Sequence, residues 1–354
     1  MRLPLSLAAL AAAVLAACGD GGDGPGPLPY VDDAKLTVLT RNVFLGAELS
    51  PVLRATTPFE LAAATDAVWQ RVQANRFPER AARIADEIAA AQPDLVGLQE
   101  VTLWRTQTPG DSAFGGTPAT AVALDYLRIL LDRLAERRLA YVPVVSLELA
   151  DIEAPIAGGT DLRMTDRDVI LARAGVPTSN PRGAPFAALG LVTVLGTDYP
   201  VKRGWSSVEA TIGGRRIVFV NTHLEAFELR TATGALARPA QAAELVALLA
   251  GEEGRVAVVG DLNSAPGTEG HAALTGAGFA DAWEAVRGAD PGLTCCFPED
   301  LTRAAPLSTR IDDVLVRGAL TPTSATVVGE EAADRTPGGL WPSDHAGVVA
   351  TVEP

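Results

Sequence analysis

The sequence predicts an α/β chain, folded as one domain from about Lys35 to Pro354. Two observations carry this reading. Apolar runs of strand length recur along the chain and alternate with segments of helical period. Several of these runs also break off in polar residues of catalytic type. The clearest is Val256–Ser264, VAVVGDLNS, a run of small and branched apolar residues that ends in Gly260, Asp261, Leu262 and Asn263. Such a run, bounded by a turn signal, reads as a strand buried on both faces. Because strand side chains alternate, Asp261 and Asn263 point one way and Leu262 points back to the core.

The first residues stand apart from that domain. Residues 1–17 carry one early charge, Arg2, then an apolar stretch too short to span a bilayer, then small residues leading to Cys18. This is the pattern of a secretory signal. Its ending, Leu15-Ala16-Ala17-Cys18, resembles a bacterial lipobox, in which the signal is removed before a cysteine that is then acylated. Acylation with more than one chain gives stable anchoring. Residues 18–34 read as the lipidated cysteine and a Gly-, Asp- and Pro-rich tether. The expected location is the cell envelope, at the outer membrane or the cell surface, with the domain held at a membrane through its N-terminal lipid.

Within the domain, Leu36–Thr40 is a short strand that delivers Arg41 and Asn42 at its end. Helical periods follow over Glu60–Gln73 and Glu79–Ala91, and Pro93 stops the second. Asp94–Leu98 is again a strand, ending in Gln99 and Glu100, and Thr102–Pro118 lacks any period and reads as a rim loop. Ala119–Arg138 carries Leu124, Leu127, Leu131 and Leu134 and reads as the longest amphipathic helix. Strands are expected at Tyr141–Leu149 and Asp168–Ala172, joined by a Gly/Asp-rich connection. Asp166 and Asp168 read first as solvated charges entering a strand, with a site role as the alternative.

Strands near Ala188–Gly196, Ser206–Thr211 and Arg215–Asn221 follow, the last two joined by a Gly213-Gly214 hairpin signal. The third ends in Asn221-Thr222-His223. Phe227–Ala237 reads as a loop before a helix that Pro239 opens. A short helix over Glu269–Gly276 is expected to expose His271 near its start. Ile311–Val316 is a strand containing Asp312, and the last strand, Ala346–Val352, starts directly after Asp344-His345. Cys295 and Cys296 are adjacent, with no further cysteine or clustered histidine nearby, which makes a poor metal site and favours a local structural role.

Composition narrows the chemistry. At 354 residues and 48% hydrophobic content the chain can bury a large core. Lys+Arg 29 against Asp+Glu 43 gives a net charge of −14, which repels polyanions over most of the surface. A broad nucleic-acid groove is therefore disfavoured, although a local basic patch is compatible with the charge.

The strand ends together present Asn42, Glu100, His223, Asp261, Asn263, Asp312, Asp344 and His345, and two of the three histidines in the chain are among them. Each desolvated polar group costs free energy unless partnered, so the collection is an odd one for a purely structural protein. Glu100 and Asn42 offer the hard oxygen ligands that suit Mg²⁺. The two histidines suit proton transfer near neutral pH and donation to an anionic oxygen. Asp312 would hold one imidazole in its tautomer, Asn263 would donate to a phosphoryl oxygen, and Asp261 would orient an attacking water. The sum is metal-assisted hydrolysis of a phosphate ester. No zinc-type Cys/His cluster, glycine-rich phosphate loop or Gly-x-Ser-x-Gly elbow competes with it.

The series Arg41-Asn42-Val43, Leu98-Gln99-Glu100-Val101, Asn221-Thr222-His223-Leu224, Gly260-Asp261-Leu262-Asn263-Ser264, Arg310-Ile311-Asp312 and Ser343-Asp344-His345 resembles the endonuclease/exonuclease/phosphatase superfamily, which has the fold of pancreatic deoxyribonuclease. The resemblance implies a four-layer sandwich, two mixed β-sheets face to face with helices outside. It implies Glu100 as the principal Mg²⁺ ligand with Asn42 beside it, His223 and Asn263 on the scissile phosphate, and Asp261 orienting the nucleophile. His345 would act as general acid or base paired with Asp312, with Asp344 a metal-side or orienting carboxylate. Mn²⁺ is the alternative ion. Where abasic-site endonucleases of the family place an acid two residues after the Asn, this chain has Phe44, and Asp313 replaces the usual apolar or aromatic neighbour. Both changes weaken a DNA-repair reading.

Members of that superfamily act on nucleic acids, sphingomyelin and inositol phosphates with one core, so the fold does not select the substrate. Anchoring, acidity and export favour a phosphodiesterase for a phospholipid head group or another phosphodiester outside the cytoplasm. An exported nuclease is the alternative, with Arg230 and Arg238 beside the rim as phosphate contacts. A binding lipoprotein without activity is the second alternative, and it predicts missing catalytic residues. The chain is expected to act as a monomer.

Overall fold

The computed structural model describes residues 26–303 and 305–354; the signal segment and Cys18 lie outside the described residues. Two mixed sheets stand face to face. The eight-stranded sheet runs Thr321–Val328, Gly347–Glu353, Leu36–Asn42, Leu95–Gln99, Thr160–Arg173, Leu103–Gln107 and Ala121–Asp125, with Tyr141–Ile156 also paired to Thr160–Arg173. The six-stranded sheet runs Ala280–Asp281, Asp312–Arg317, Arg255–Asp261, Arg215–His223, Gly204–Ile212 and Thr178–Pro185. A separate two-stranded hairpin joins Gly190–Val194 to Thr197–Val201.

Alternation along the strands builds the layers. Leu36, Val38, Leu95 and Ile170 of the larger sheet pack between the sheets against Ile217, Phe219, Ala257 and Val259 of the smaller one. The opposite parity of the larger sheet, including Leu39, Val96 and Leu171, packs against helices Pro58–Ala74, Phe77–Ala91 and Tyr126–Glu136. On the other side, Val218, Val220, Val256 and Val258 pack against Ala237–Leu249 and Glu269–Gly276. The result is the α/β four-layer sandwich, helices outside and sheets inside. Among the described residues no helix is long and apolar enough to cross a membrane.

The sheets approach closely at Gly97, where a Cβ would lie 2.5 Å from Val259 Cγ2 and 2.7 Å from Asn221 Oδ1. Asn221 crosses that gap: its Nδ2 donates to the Leu98 carbonyl at 3.0 Å, and its Oδ1 accepts from Gln99 Nε2 at 2.7 Å. A motif residue thus ties the sheets together at the base of the cleft.

Several elements differ from the sequence expectation. The expected rim loop over Thr102–Pro118 contains the strand Leu103–Gln107, which pairs with Thr160–Arg173. The expected helix Ala119–Arg138 begins only at Tyr126, because Ala121–Asp125 pairs with Leu103–Gln107 as a strand and Asp125 caps the helix. The strands expected at Tyr141–Leu149 and Asp168–Ala172 are one long hairpin, Tyr141–Ile156 with Thr160–Arg173, turned at Gly158 and Gly159. Thr178–Pro185, rich in Pro and Gly, is an edge strand, the place where such residues are tolerated in a sheet. The helix expected from Pro239 starts at Ala237.

Candidate active site

The site is the open end of the slot between the sheets. Two parallel pairs, Leu36–Asn42 with Leu95–Gln99 and Arg215–His223 with Arg255–Asp261, end together at this edge. Asp312 starts its antiparallel strand opposite Asp261, and Gly347–Glu353 starts beside the end of Leu36–Asn42. The side chains here continue the inward parity of the core: Leu36 and Val38 lead to Asn42, Ile217 and Phe219 to His223, Ala257 and Val259 to Asp261, and Val316 and Val314 back to Asp312. Apolar side chains fill the slot, and polar ones take over where it opens.

Asn42 Nδ2 lies 3.1 Å from Glu100 Oε1 and 3.1 Å from Asp261 Oδ2, bridging the sheets. Its Oδ1 accepts from the Phe44 N–H, so the amide N–H side of Asn42 faces the two carboxylates. Glu100 leaves its strand with φ of 60°, a left-handed conformation that costs on the order of 1–3 kcal/mol for a non-glycine residue. Its Oε2 accepts from Leu45 N–H at 2.7 Å.

Across the slot, His345 Nδ1 is 2.9 Å from Asp312 Oδ2 and 3.9 Å from Asp261 Oδ2. One ligand atom each of Asp261, Asp312 and His345 lies within 4.8 Å of the others. His223 Nε2 is 3.5 Å from Asp261 Oδ2. Asn263 closes an Asx turn by donating its N–H to Asp261 Oδ1 at 2.9 Å, while its Nδ2 donates to the Leu224 carbonyl. Asp344 accepts from Ser343 Oγ at 3.3 Å. Thus Asn42, Glu100, His223, Asp261, Asn263, Asp312 and His345 form one connected group, with Asp344 next to His345 in the chain. Arg230 is exposed and donates to the Gly234 carbonyl of its own loop, and Arg238 pairs with Glu269. Neither makes a contact with the connected group.

Burial governs the charges. It pushes Asp261 up to about 7, with neighbouring Asp312 adding to the effect and His345 opposing it. Asp344 is pushed up to about 6 by burial, with Glu100 contributing against His345. Burial alone would depress His345, but Asp312, Asp344 and Asp261 outweigh it and hold the imidazole well above its ordinary value. His223 goes the other way: burial, then the charge of Arg203, keeps it well below. The two histidines therefore carry different protonation at neutral pH.

Two buried arginines hold the rim. Arg41 chelates Glu87 through Nε at 2.9 Å and Nη2 at 3.0 Å and donates to the His345 carbonyl. Arg80 donates to the carbonyls of Val43, Phe44 and Pro342. Phe44, in place of an acid, is buried beside Phe297, Leu301, Leu340 and Trp341. Asp313 pairs with Arg310 at 2.7 Å. Cys295 and Cys296 are disulfide-bonded to each other, and Cys296 Sγ lies 4.0 Å from His345 Nε2.

Asp166, Asp168 and His271 sit otherwise than the sequence suggests. Asp166 and Asp168 are not solvated strand ends: they are buried inside Thr160–Arg173 and share the inward parity of Ile170. Burial raises both, Asp166 to about 6. The parity with Ile170 was the available signal. His271 is not exposed but buried, with Nε2 3.0 Å from Asp281 Oδ2 in a cluster that also holds Arg310. Sequence reasoning also missed Arg203, which no periodicity marks; it lies beside Asp166, Glu225 and His223.

Comparison with known proteins places the fold and the family. Residues 69–345 match the Endonuclease/Exonuclease/phosphatase family. No curated protein matches the sequence. Among solved structures, D. rerio TDP2 humanized by 14 mutations superposes with TM-score 0.54 at 19% identity, covering 91% of this chain and 100% of that one. The endonuclease/exonuclease/phosphatase from Bacteroides vulgatus gives 0.53 at 17% identity, over 90% and 98% of the two chains. The mannosyl-6-phosphatase Bt3783 of Bacteroides thetaiotaomicron gives 0.53 at 16% identity, over 90% and 99%. At such identities the superpositions establish a shared fold. With the family match over most of its length, the chain belongs to the Endonuclease/Exonuclease/phosphatase family, and so to the metal-dependent hydrolases of phosphoric esters.

Proposed function

We propose that the protein is an exported, lipid-anchored Mg²⁺-dependent phosphodiesterase that acts on a phospholipid head group or a related amphiphilic phosphodiester. The observation that carries the substrate class is a groove of about 370 Å³ lined by Val192, Val194, Leu195, Tyr199, Val201 and Ile152. Lys202, Asp151 and Glu153 also line it, and the residue after Lys202, Arg203, contacts His223 in the site. A largely apolar groove with a cation in its lining, one residue along the chain from a side chain that contacts the site, suits an amphiphile. The net charge of −14 disfavours a polyanion. Cys18 as the acylated residue, followed by the tether to residue 34 and the domain over 35–354, would keep the enzyme at a membrane.

The donor set fits a hard divalent cation. Glu100 and Asp344 are carboxylates, Asn42 would add its amide oxygen once the amide turned over from its contact with the Phe44 N–H, and the burial that raises Asp261 and Asp344 penalises charged forms that a cation would stabilise. Glu100, Asn42 and Asp344 would hold Mg²⁺, with Mn²⁺ as a substitute. When bound, the ion supplies charge neutralisation at the phosphoryl oxygens. Asp261, poised near neutrality, orients a water and takes its proton as the water oxygen attacks phosphorus. His345, held protonated by Asp312, gives its proton to the leaving oxygen as the ester bond breaks. His223 and Asn263 bind the phosphoryl group.

The test is hydrolysis of sphingomyelin- and phosphatidylcholine-containing liposomes beside supercoiled plasmid and a soluble aryl phosphodiester. The reading expects lipid turnover, and expects Val194→Asp to lower it about 10-fold or more while sparing the soluble ester. Cleavage of plasmid without lipid turnover would replace it with the nuclease reading.

A further inference from the structure

Arg203 immediately precedes the strand Gly204–Ile212, and its side chain is largely buried, 12% exposed. Nη1 lies 3.1 Å from His223 Nδ1 and 3.5 Å from Asp166 Oδ2, and Nε lies 3.9 Å from Glu225 Oε2. Asp166 and Glu225 are themselves buried, so their charges hold the guanidinium against the imidazole. A guanidinium has N–H donors only, carries no acceptor lone pair and does not lose its proton in proteins. His223 Nδ1 must therefore be the acceptor, and in the neutral ring the proton resides on Nε2. Nε2 is the atom that faces the centre of the site, 3.5 Å from Asp261 Oδ2.

We infer that Arg203 is a positioning residue that fixes His223 as the neutral Nε2–H tautomer, making it a hydrogen-bond donor to the phosphoryl group and removing it as a proton acceptor. The two histidines then divide the work. His345 has a carboxylate, Asp312, at its Nδ1, which favours a proton there and supports the imidazolium. His223 has a cation at the same atom, which forbids that proton. A donor aimed where phosphoryl charge develops stabilises the transition state without any change of its own charge. The role in turnover rests on the hydrolase reading above; the tautomer does not.

The experiment is nitrogen-15 NMR of the metal-free full chain labelled at histidine, whose three histidines give three separable rings. His223→Gln assigns the resonance, and His271, buried against Asp281, reports that the fold is intact. The expected spectrum has an unprotonated Nδ1 and a protonated Nε2 at His223. Arg203→Lys, which still offers only donors, is expected to keep this pattern, and Arg203→Met to lose it in a mixture of forms. In kinetics, Arg203→Met should lower kcat by about 10²-fold with KM changed far less, and Arg203→Lys should recover most of it. A protonated Nδ1 at His223 in the native chain overturns the inference, as does an unchanged tautomer in a folded Arg203→Met. Because the spectrum needs no substrate, absence of phosphodiester hydrolysis would count against the hydrolase reading alone.

Discussion

His345 Nδ1 lies 2.9 Å from Asp312 Oδ2, and the two residues come from opposite sheets: Asp312 opens a strand of the smaller sheet, and His345 sits just before the strand Gly347–Glu353 of the larger. The Asn42–Asp261 contact at 3.1 Å crosses the same gap. Neither half of the sandwich contains the reacting centre alone, so site geometry and sheet packing are one problem.

The first consequence concerns the dyad. Asp312→Asn keeps the shape but removes the charge that supports the imidazolium and holds its tautomer. It should lower kcat by about 10²–10⁴-fold with little change in KM, and the circular dichroism spectrum should match the parent. Kinetics of the purified variant on a soluble phosphodiester check this.

Packing between the sheets gives a second. Gly97→Ala would place a methyl carbon 2.5 Å from Val259 Cγ2 and 2.7 Å from Asn221 Oδ1, both on fully buried side chains, so the packing there must shift. Overpacking of this kind costs about 1–3 kcal/mol. Urea denaturation should show that loss, and kcat should fall as well because the two halves of the site separate.

Linkage gives a third. Asp94, Asp166 and Asp344 are raised to about 6, and Asp261 and Asp313 to about 7, in every case chiefly by burial. A carboxyl raised in the folded state contributes stability that is fully present below its unfolded value and is lost as pH rises through the folded one. His345, also raised, acts with the same sign, and His223, lowered, opposes them. The metal-free protein should therefore lose thermal stability as pH rises from about 4 to about 7. Mg²⁺ should restore more of the Tm at pH 8 than at pH 5, since the cation competes with protons for the carboxylates. Scanning fluorimetry across pH, with and without Mg²⁺, measures both.

The proposed lipid anchor gives a fourth. Expressed in a bacterium with lipoprotein processing, the parent should partition with membranes and Cys18→Ala should not. Retention of the variant on membranes would remove Cys18 as the anchor.

How much of this was legible in the sequence follows from where each residue sits. Asp261, His223 and Asn42 end apolar runs whose alternation continues straight into them, so the sequence announced their common direction, whereas Asn263 lies past the strand end in a left-handed turn that alternation does not describe. The dyad of Asp312 and His345 was legible only through motif resemblance, because its members meet across sheets. Asp166 and Asp168 looked like solvated charges because Leu162–Arg173 mixes charges with apolar residues; a strand buried deep in a sheet against a polar cleft produces the same pattern. His271 was misread because its partner, Asp281, and Arg310 come from separate segments. Arg203 and Arg80 carry no local signature, and Arg41, although it stands in a motif, gives no sign of its partners: each is defined by carbonyls and carboxylates brought in from distant parts of the chain. Leu103–Gln107 and Thr178–Pro185 are strands by virtue of their neighbours in the sheet, which a period cannot report.

The proposed metal-dependent hydrolysis of a phosphodiester falls to the Asp261 and His345 side chains at the mouth of the slot. Its most direct test is turnover of a soluble phosphodiester by the purified protein, with Mg²⁺ and with chelator, beside Asp261→Ala and His345→Ala. Turnover that chelator abolishes is expected, with a loss of at least about 10³-fold in either variant while the fold persists. Turnover that survives chelator, or a folded variant with parental kcat, would contradict it.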